Sequence, residues 1–308
     1  MKLERKDLLG LKELDSAEIS TILSVAKEMK KILAQGVKKV PHLQNKSVVS
    51  LFYENSTRTR MSFELAGKFL SASVSNIAIG TSSVQKGETL IDTGRTLDAL
   101  MTDIIVIRHN CSGAPHLLAK NIKAGVINAG DGMNEHPTQA LLDMFTIQEK
   151  FGEIKGLKVA IVGDIKHSRV ARSNIIGLNK LGAEVCIAAP GTLLPYDIEK
   201  MGAKVCTIDQ AVEGANAVMS LRMQLERQQS GLIPSRKEYG RFYGLTPERM
   251  TKADANALVM HPGPMNRGIE LTSDVADCPQ SVINEQVTNG VAVRMAVMFL
   301  LTRGGKKI

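Results

Sequence analysis

The run Ser56-Thr57-Arg58-Thr59-Arg60 packs three hydroxyls and two guanidinium groups into five consecutive residues. It follows an apolar, β-rich run, Ser47–Tyr53, and opens a stretch with helical spacing, Thr57–Leu70. A helix N-terminus presents backbone N–H groups without intrahelical partners and a partial positive charge, and together these hold phosphate. The hydroxyls add donors, and Arg58 adds a bidentate one. The same segment also reads as a capped helix with a basic first turn. Arginines in a first turn oppose the helix dipole unless an anion is bound, which favours phosphate.

Other residues with chemical potential sit at predicted element ends. Arg108 closes the strand expected over Asp103–Arg108, where open α/β sheets hold ligands, although a surface arginine fits the same pattern. His136 precedes Pro137, which suits the first position of a helix running to about Phe151. Such a histidine is also an ordinary cap or packing residue. Gln139 lies one turn on and shares its face, or is a solvent-facing glutamine. Ser82 and Lys86 stand in the polar loop Thr81–Glu88, which by itself is a surface loop with an exposed lysine. Gly163–Ser168 follows a strand as a dinucleotide loop would, but it lacks Gly-x-Gly-x-x-Gly, so no nicotinamide cofactor is expected. Pro262-Gly263-Pro264 is a turn after a strand. No nucleophile–base pair or metal cluster is evident, and neither a metal nor a cofactor is expected.

The elements that must hold these residues alternate. Strands are expected at Ser47–Tyr53, Val74–Ile79, Asp103–Arg108 and Val126–Ala129, with helices near Thr57–Leu70, Thr89–Met101 and Ala114–Lys120. An earlier helix opens with the capping-box pair Asp15 and Glu18 and closes at Gly36. After the helix from Pro137 the pattern restarts, with strands at Leu157–Val162, Glu184–Ala188, Lys204–Thr207, Ala217–Leu221 and Ala257–Met260. The last helix is expected from Pro279 to about Arg303. This is α/β architecture, two domains each built on a mostly parallel sheet flanked by helices. The break is expected near Phe151–Gly156, giving domains 1–150 and 151–284, with the helix over 285–305 packing back on the first. A chain of 308 residues exceeds what one core usually serves.

Composition narrows the function classes. A hydrophobic fraction of 44% and a charged fraction of 23% belong to an ordinary globular protein. No apolar run approaches the roughly 18 residues of a membrane span. The N-terminus reads as polar, without a signal peptide, and the four cysteines form no Cys-x-x-Cys pair, which together suggest the cytoplasm. The net charge of +8 raises nucleic acid as a partner. The basic residues are dispersed, however, and no Trp, four Tyr and seven Phe leave little for base stacking. Attraction of small anionic substrates explains the sign.

In order along the chain stand Ser-Thr-Arg-Thr-Arg, Lys86-Gly87-Glu88-Thr89, Arg108-His109, His136-Pro137-Thr138-Gln139, Gly163-Asp164-Ile165-Lys166-His167-Ser168-Arg169, Arg222-Met223-Gln224 and His261-Pro262-Gly263-Pro264. In this the chain resembles, over nearly its whole length, the aspartate and ornithine transcarbamoylase family. The lysine of Lys-Gly-Glu-Thr and the absence of a His-Cys-Leu-Pro segment resemble the aspartate branch. The resemblance implies carbamoyl transfer from carbamoyl phosphate to the amine of L-aspartate, in de novo pyrimidine synthesis, by a homotrimer whose active sites are shared. A regulatory chain is left open.

The same resemblance implies the roles. Ser56, Thr57, Arg58 and Thr59 hold the phosphate, with Ser82 and Lys86 contributed by a neighbouring subunit. Arg108 bridges phosphate and carbonyl oxygen, Thr59 and His136 join it on that oxygen, and Gln139 orients the carbamoyl NH2. Gly263 and Pro264 offer backbone carbonyls, with a cis bond before Pro264. Gly263 replaces a bulkier residue of some relatives. Arg169 takes the α-carboxylate of aspartate and Arg222 its side-chain carboxylate, helped by Gln224 and Lys86. Glu54, Arg169 and Arg227 form ion pairs on domain closure, and Leu225 replaces a lysine of some relatives. Transfer is direct, without a covalent enzyme intermediate, and carbamoyl phosphate binds first.

Overall fold

A computed structural model describes residues 3–36, 39–78, 87–224 and 231–304. Ser82, Lys86, Leu225 and Arg227 lie outside these residues. The chain divides into two compact units, Met1–Leu142 with Thr288–Ile308, and Asp143–Val287.

In the first unit, helix α1 (Ser16–Ala34) begins with the capping box foreseen at Asp15 and Glu18. Strand β1 (Ser47–Phe52) leads to α2 (Thr57–Phe69), β2 (Ser73–Ala78) to α3 (Leu90–Ala99), and β3 (Ile104–His109) to α4 (Ala114–Asn121). Strand β4 (Gly125–Asp131) then precedes α5 (Pro137–Phe151). The four strands are parallel, in the order β2-β1-β3-β4. Val49, Leu51, Ile105 and Ile107 pack with Leu97 of α3 and Leu118 of α4. Val48, Ile104 and Val106, of the opposite parity, are equally buried. Both faces are therefore covered, which is why these strands read as continuous apolar runs.

The second unit repeats the scheme. It contains β5 (Lys158–Val162), α6 (Arg169–Lys180), β6 (Glu184–Ala188), β7 (Ala203–Val205), α7 (Ile208–Val212), β8 (Ala217–Ser220), α8 (Arg236–Tyr243), α9 (Pro247–Met250), β9 (Leu258–Met260) and α10 (Ser273–Ala276). Its parallel sheet has the order β7-β6-β5-β8-β9. Ala160, Val162, Cys186, Val218 and Val259 form one buried face with residues of α7, α9 and α10.

Two element boundaries differ from expectation. The final helix, α11, spans Ile283–Gly304 and does not start at Pro279. Gln280 accepts from Val259 N at 2.9 Å, and Val282 N donates back to Val259 at 3.0 Å. Those residues extend the edge of the sheet and are unavailable to a helix. Strand β7 ends at Val205, because Thr207 caps α7 in a capping box with Gln210. By contact, the two compact units divide inside α5, between Leu142 and Asp143. Asp143 accepts from Asn174 and from Gln286, both at 2.8 Å, which joins the helix from that point to the second unit.

Ile107 tests the first core, since it is fully buried one residue before Arg108. Ile107→Ala is expected to cost ~2–5 kcal/mol, read as a lower thermal midpoint. An unchanged midpoint would contradict this packing.

Candidate active site

In an open parallel sheet, ligands bind beyond the carboxyl ends of the strands, where the strand order reverses. In the first unit that point lies between β1 and β3. Phe52 is in register with Arg108, and Tyr53 N donates to the Arg108 carbonyl at 2.8 Å. The chain leaving β1 turns through Glu54 into α2, whose N-cap is Ser56. The Ser56 side chain makes no capping bond, and the first turn holds no acid. Thr59 is buried, whereas Thr57, Arg58 and Arg60 are exposed. A cationic helix end thus opens beside Arg108.

Arg108 is oriented by a carboxylate. Its Nε donates to Glu54 Oε2 at 3.1 Å, and the two side chains are only 14% and 18% exposed. A pair this sheltered is screened less than a surface ion pair. Glu54 is therefore engaged within its own unit. For the closure set inferred from sequence, Arg169 belongs to the second unit and Arg227 lies outside the described residues.

His136 caps α5. Its carbonyl accepts from Gln139 N at 3.0 Å and Ala140 N at 3.2 Å, and both His136 and Gln139 are buried. The turn before it is held by two buried carboxylates absent from the sequence reading. Asp131 accepts from Gly113 N at 2.7 Å, Asn134 Nδ2 at 3.0 Å and Glu135 N at 3.1 Å. Glu135 accepts from Leu11 N at 2.7 Å and Lys12 N at 3.4 Å. Asp131 thereby ties the loop after β3, which follows Arg108, to the turn that presents His136. An acid closing an apolar strand was the available signal.

In the second unit the order reverses between β5 and β8. Gly163 follows β5 with φ of +132°, and an added Cβ would meet Leu221 O at 2.9 Å. Only glycine allows the chain after β5 to lie this close to the chain after β8. Ser168 caps α6 by accepting from Ala171 N, and the buried Arg169 opens the helix. Arg222 and Gln224 follow β8 and are partly buried. Asp164, fully buried, accepts from His167 Nδ1 at 2.8 Å and Gln224 N at 3.3 Å. It joins the two loops that carry Arg169 and Gln224. Gly263 has φ of +64° and precedes a cis bond to Pro264. Gly263 N donates to His261 Nδ1 at 2.8 Å, and His261 N donates to Gln286 at 3.0 Å.

His109 gives the candidate site of the first unit a titratable marker. Its ring lies 4.5 Å from that of Tyr53, and its Nδ1 accepts from Cys111 N at 2.9 Å. Burial lowers its pKa below the ordinary 6.5, partly opposed by the Glu54 and Asp131 carboxylates. The unfolded chain therefore takes up this proton at a higher pH than the folded one. The stability contributed by His109 is complete above 6.5 and is lost as pH falls through the lower folded value. His109→Asn, which keeps an acceptor, is expected to flatten that acid limb of the urea midpoint. An identical limb in both proteins would reject the assignment.

Two family models match the chain. The carbamoyl-P binding domain of aspartate/ornithine carbamoyltransferase covers residues 6–149, and the Asp/Orn binding domain covers 155–301. The chain is 65% identical over 304 residues to the aspartate carbamoyltransferase catalytic subunit of Acetivibrio thermocellus, covering 98% of this chain and 97% of that one. It is 63% identical to the protein of the same name in Ruminiclostridium cellulolyticum, covering 99% and 98%. Among solved structures it is similar to aspartate transcarbamoylase from Trypanosoma cruzi in complex with carbamoyl phosphate and aspartate. That match has a TM-score of 0.85 and 30% identity, with 96% of each chain covered. It is also similar to ornithine carbamoyltransferase from Pyrococcus furiosus, with a TM-score of 0.88 and 32% identity over 100% of both chains. With both halves matched and such relatives along its full length, the chain belongs to the aspartate/ornithine carbamoyltransferase family.

Proposed function

We propose that this chain is the catalytic subunit of an aspartate carbamoyltransferase, which makes N-carbamoyl-L-aspartate and phosphate. The observation that carries the reading is the cationic, side-chain-uncapped start of α2 beside Arg108 at the first switch point. The choice of aspartate rests on relatives at 56–65% identity that bear that name. Arg169 and Arg222, at the second switch point, provide the two cationic forks that a dicarboxylate requires.

In this reading Ser56, Thr57, Arg58 and Thr59 hold the phosphate of carbamoyl phosphate. Thr59, Arg108 and His136 donate to its carbonyl oxygen, and Gln139 accepts from the carbamoyl NH2. Arg169 holds the α-carboxylate of aspartate, while Arg222 and Gln224 hold its side-chain carboxylate. The backbone carbonyls at Gly263 and Pro264 accept from the carbamoyl NH2 and the attacking amine. The amine nitrogen bonds to the carbonyl carbon, the bond from carbon to the phosphate oxygen breaks, and the amine proton leaves on phosphate. Negative charge gathers on the carbonyl oxygen in the transition state, so donors fixed there in advance lower the barrier. Holding both substrates in attack geometry contributes ~7–11 kcal/mol. Ser82 and Lys86 complete the phosphate site from a neighbouring copy, which makes the active form a homotrimer. The setting is cytoplasmic.

Incubation with labelled carbamoyl phosphate, offered aspartate or ornithine in parallel, tests the acceptor. Carbamoyl aspartate is the expected product, and carbamoyl ornithine as the main product would overturn the reading. Arg108→Ala is expected to lower kcat by about 10²–10³ with the fold intact. A kcat within a few-fold of the parent would remove Arg108 from the chemistry. Mixing Lys86→Ala subunits with Arg108→Ala subunits is expected to restore part of the activity, because some shared sites become fully wild type. No recovery in verified mixed trimers would count against sharing through Lys86.

A further inference from the structure

Glu270 is a fully buried carboxylate in the loop after β9, outside every motif that suggested function. Its Oε1 accepts from Met223 N at 2.8 Å and Asn266 Nδ2 at 2.7 Å, and its Oε2 accepts from Asn266 N at 2.8 Å. Its backbone carbonyl accepts from Ser220 Oγ at 3.1 Å and Leu245 N at 2.9 Å. Met223 stands between Arg222 and Gln224, and Asn266 follows Pro264 by two positions. One side chain therefore fastens the segment with the acceptor-binding residues to the loop with the backbone carbonyls.

A structural filler does not require this chemistry. Burying a carboxylate is costly unless donors surround it, and here three donors do so. Two of them are backbone N–H groups of loops that have no strand partner at those positions. Asp164 holds the neighbouring Gln224 N at 3.3 Å, so Met223 and Gln224 are each fixed by a different buried carboxylate. Tyr239 of α8 lies by both. Its phenol is pushed up by burial first, then by Glu270 and Asp164.

We propose that Glu270 is a positioning residue for dicarboxylate recognition, setting Arg222 and Gln224 against the Pro264 loop through Met223 N and Asn266 N. The proposal rests on the reading that Arg222 and Gln224 hold the acceptor's carboxylate. Glutamine at this position keeps the shape but has one accepting oxygen. Whichever way its amide turns, an NH2 faces the donor of Met223 or of Asn266. One of the two segments must then come loose.

Glu270→Gln is expected to raise KM for aspartate by about 10-fold or more while the affinity for carbamoyl phosphate stays within about twofold. Succinate, a dicarboxylate without the amine, is expected to bind correspondingly more weakly in the presence of carbamoyl phosphate. In an Arg222→Ala background the added effect of Glu270→Gln on succinate should largely vanish, whereas a general packing defect would persist. Glu270→Asp, which keeps the charge but is one methylene too short to reach both Met223 N and Asn266 N, serves if Glu270→Gln does not fold, and should shift KM in the same direction. Hydrogen exchange of the Met223 and Asn266 amides, read without substrate, should be slow in the parent and fast for at least one of them in Glu270→Gln. Unchanged exchange and an unchanged KM for aspartate would overturn the proposal, as would an equal loss in the Arg222→Ala background. A parent protein that makes no carbamoyl aspartate but shows the exchange change would sink the functional reading alone and leave the tether standing.

Discussion

Loops beyond the carboxyl end of a strand have no ladder to hold them, and in both units buried carboxylates take over that task. Asp131 accepts backbone N–H groups from the loop after β3 and from the turn before His136, and Glu135, in that turn, accepts from Leu11 N and Lys12 N of the N-terminal segment. Asp164 and Glu270 do the same for the segments around Arg169, Gln224 and Pro264. Each is almost or wholly inaccessible to solvent. A charged acceptor makes stronger bonds than a neutral one, and in a low-dielectric interior those bonds define loop geometry firmly. The same burial penalises loss of any donor, so the loops and their carboxylates stand or fall together.

This arrangement suits anion recognition. Under the proposed function the cations hold the ligand, while Asp131, Glu135, Asp164 and Glu270 accept from backbone N–H groups. Glu54 bonds directly to the Arg108 guanidinium. With α2 opening on an acid-free turn, the switch point of the first unit keeps a positive field where phosphate would sit. The net charge of +8 adds long-range attraction in the same sense.

Fold alone does not choose the acceptor. The ornithine carbamoyltransferase from Pyrococcus furiosus and the aspartate transcarbamoylase from Trypanosoma cruzi give TM-scores of 0.88 and 0.85. Two enzymes named for different amines share this backbone, so the fold does not carry the discrimination, which under the proposed function falls to side chains such as Arg222 and Gln224. That gives Arg222, Gln224 and the residues that hold them weight beyond their number.

Short-range order was written into the residues. Periodicity marked the strands and helices, Asp15 and Glu18 marked a capping box that the structure contains, and Pro137 marked the first residue of α5. These signals need only neighbours within one turn or one pleat. Strand order, by contrast, and with it the two switch points, depended on which apolar faces met in space. Helix α11 starts later than its sequence pattern predicts because Gln280 and Val282 pair with Val259, a choice invisible to local propensity. The buried carboxylates stayed hidden for the same reason. Glu270 and Met223 are 47 residues apart, Asp164 and Gln224 60, and Glu135 and Leu11 124. A backbone N–H carries no residue type, so no sequence pattern can announce that it will be a partner.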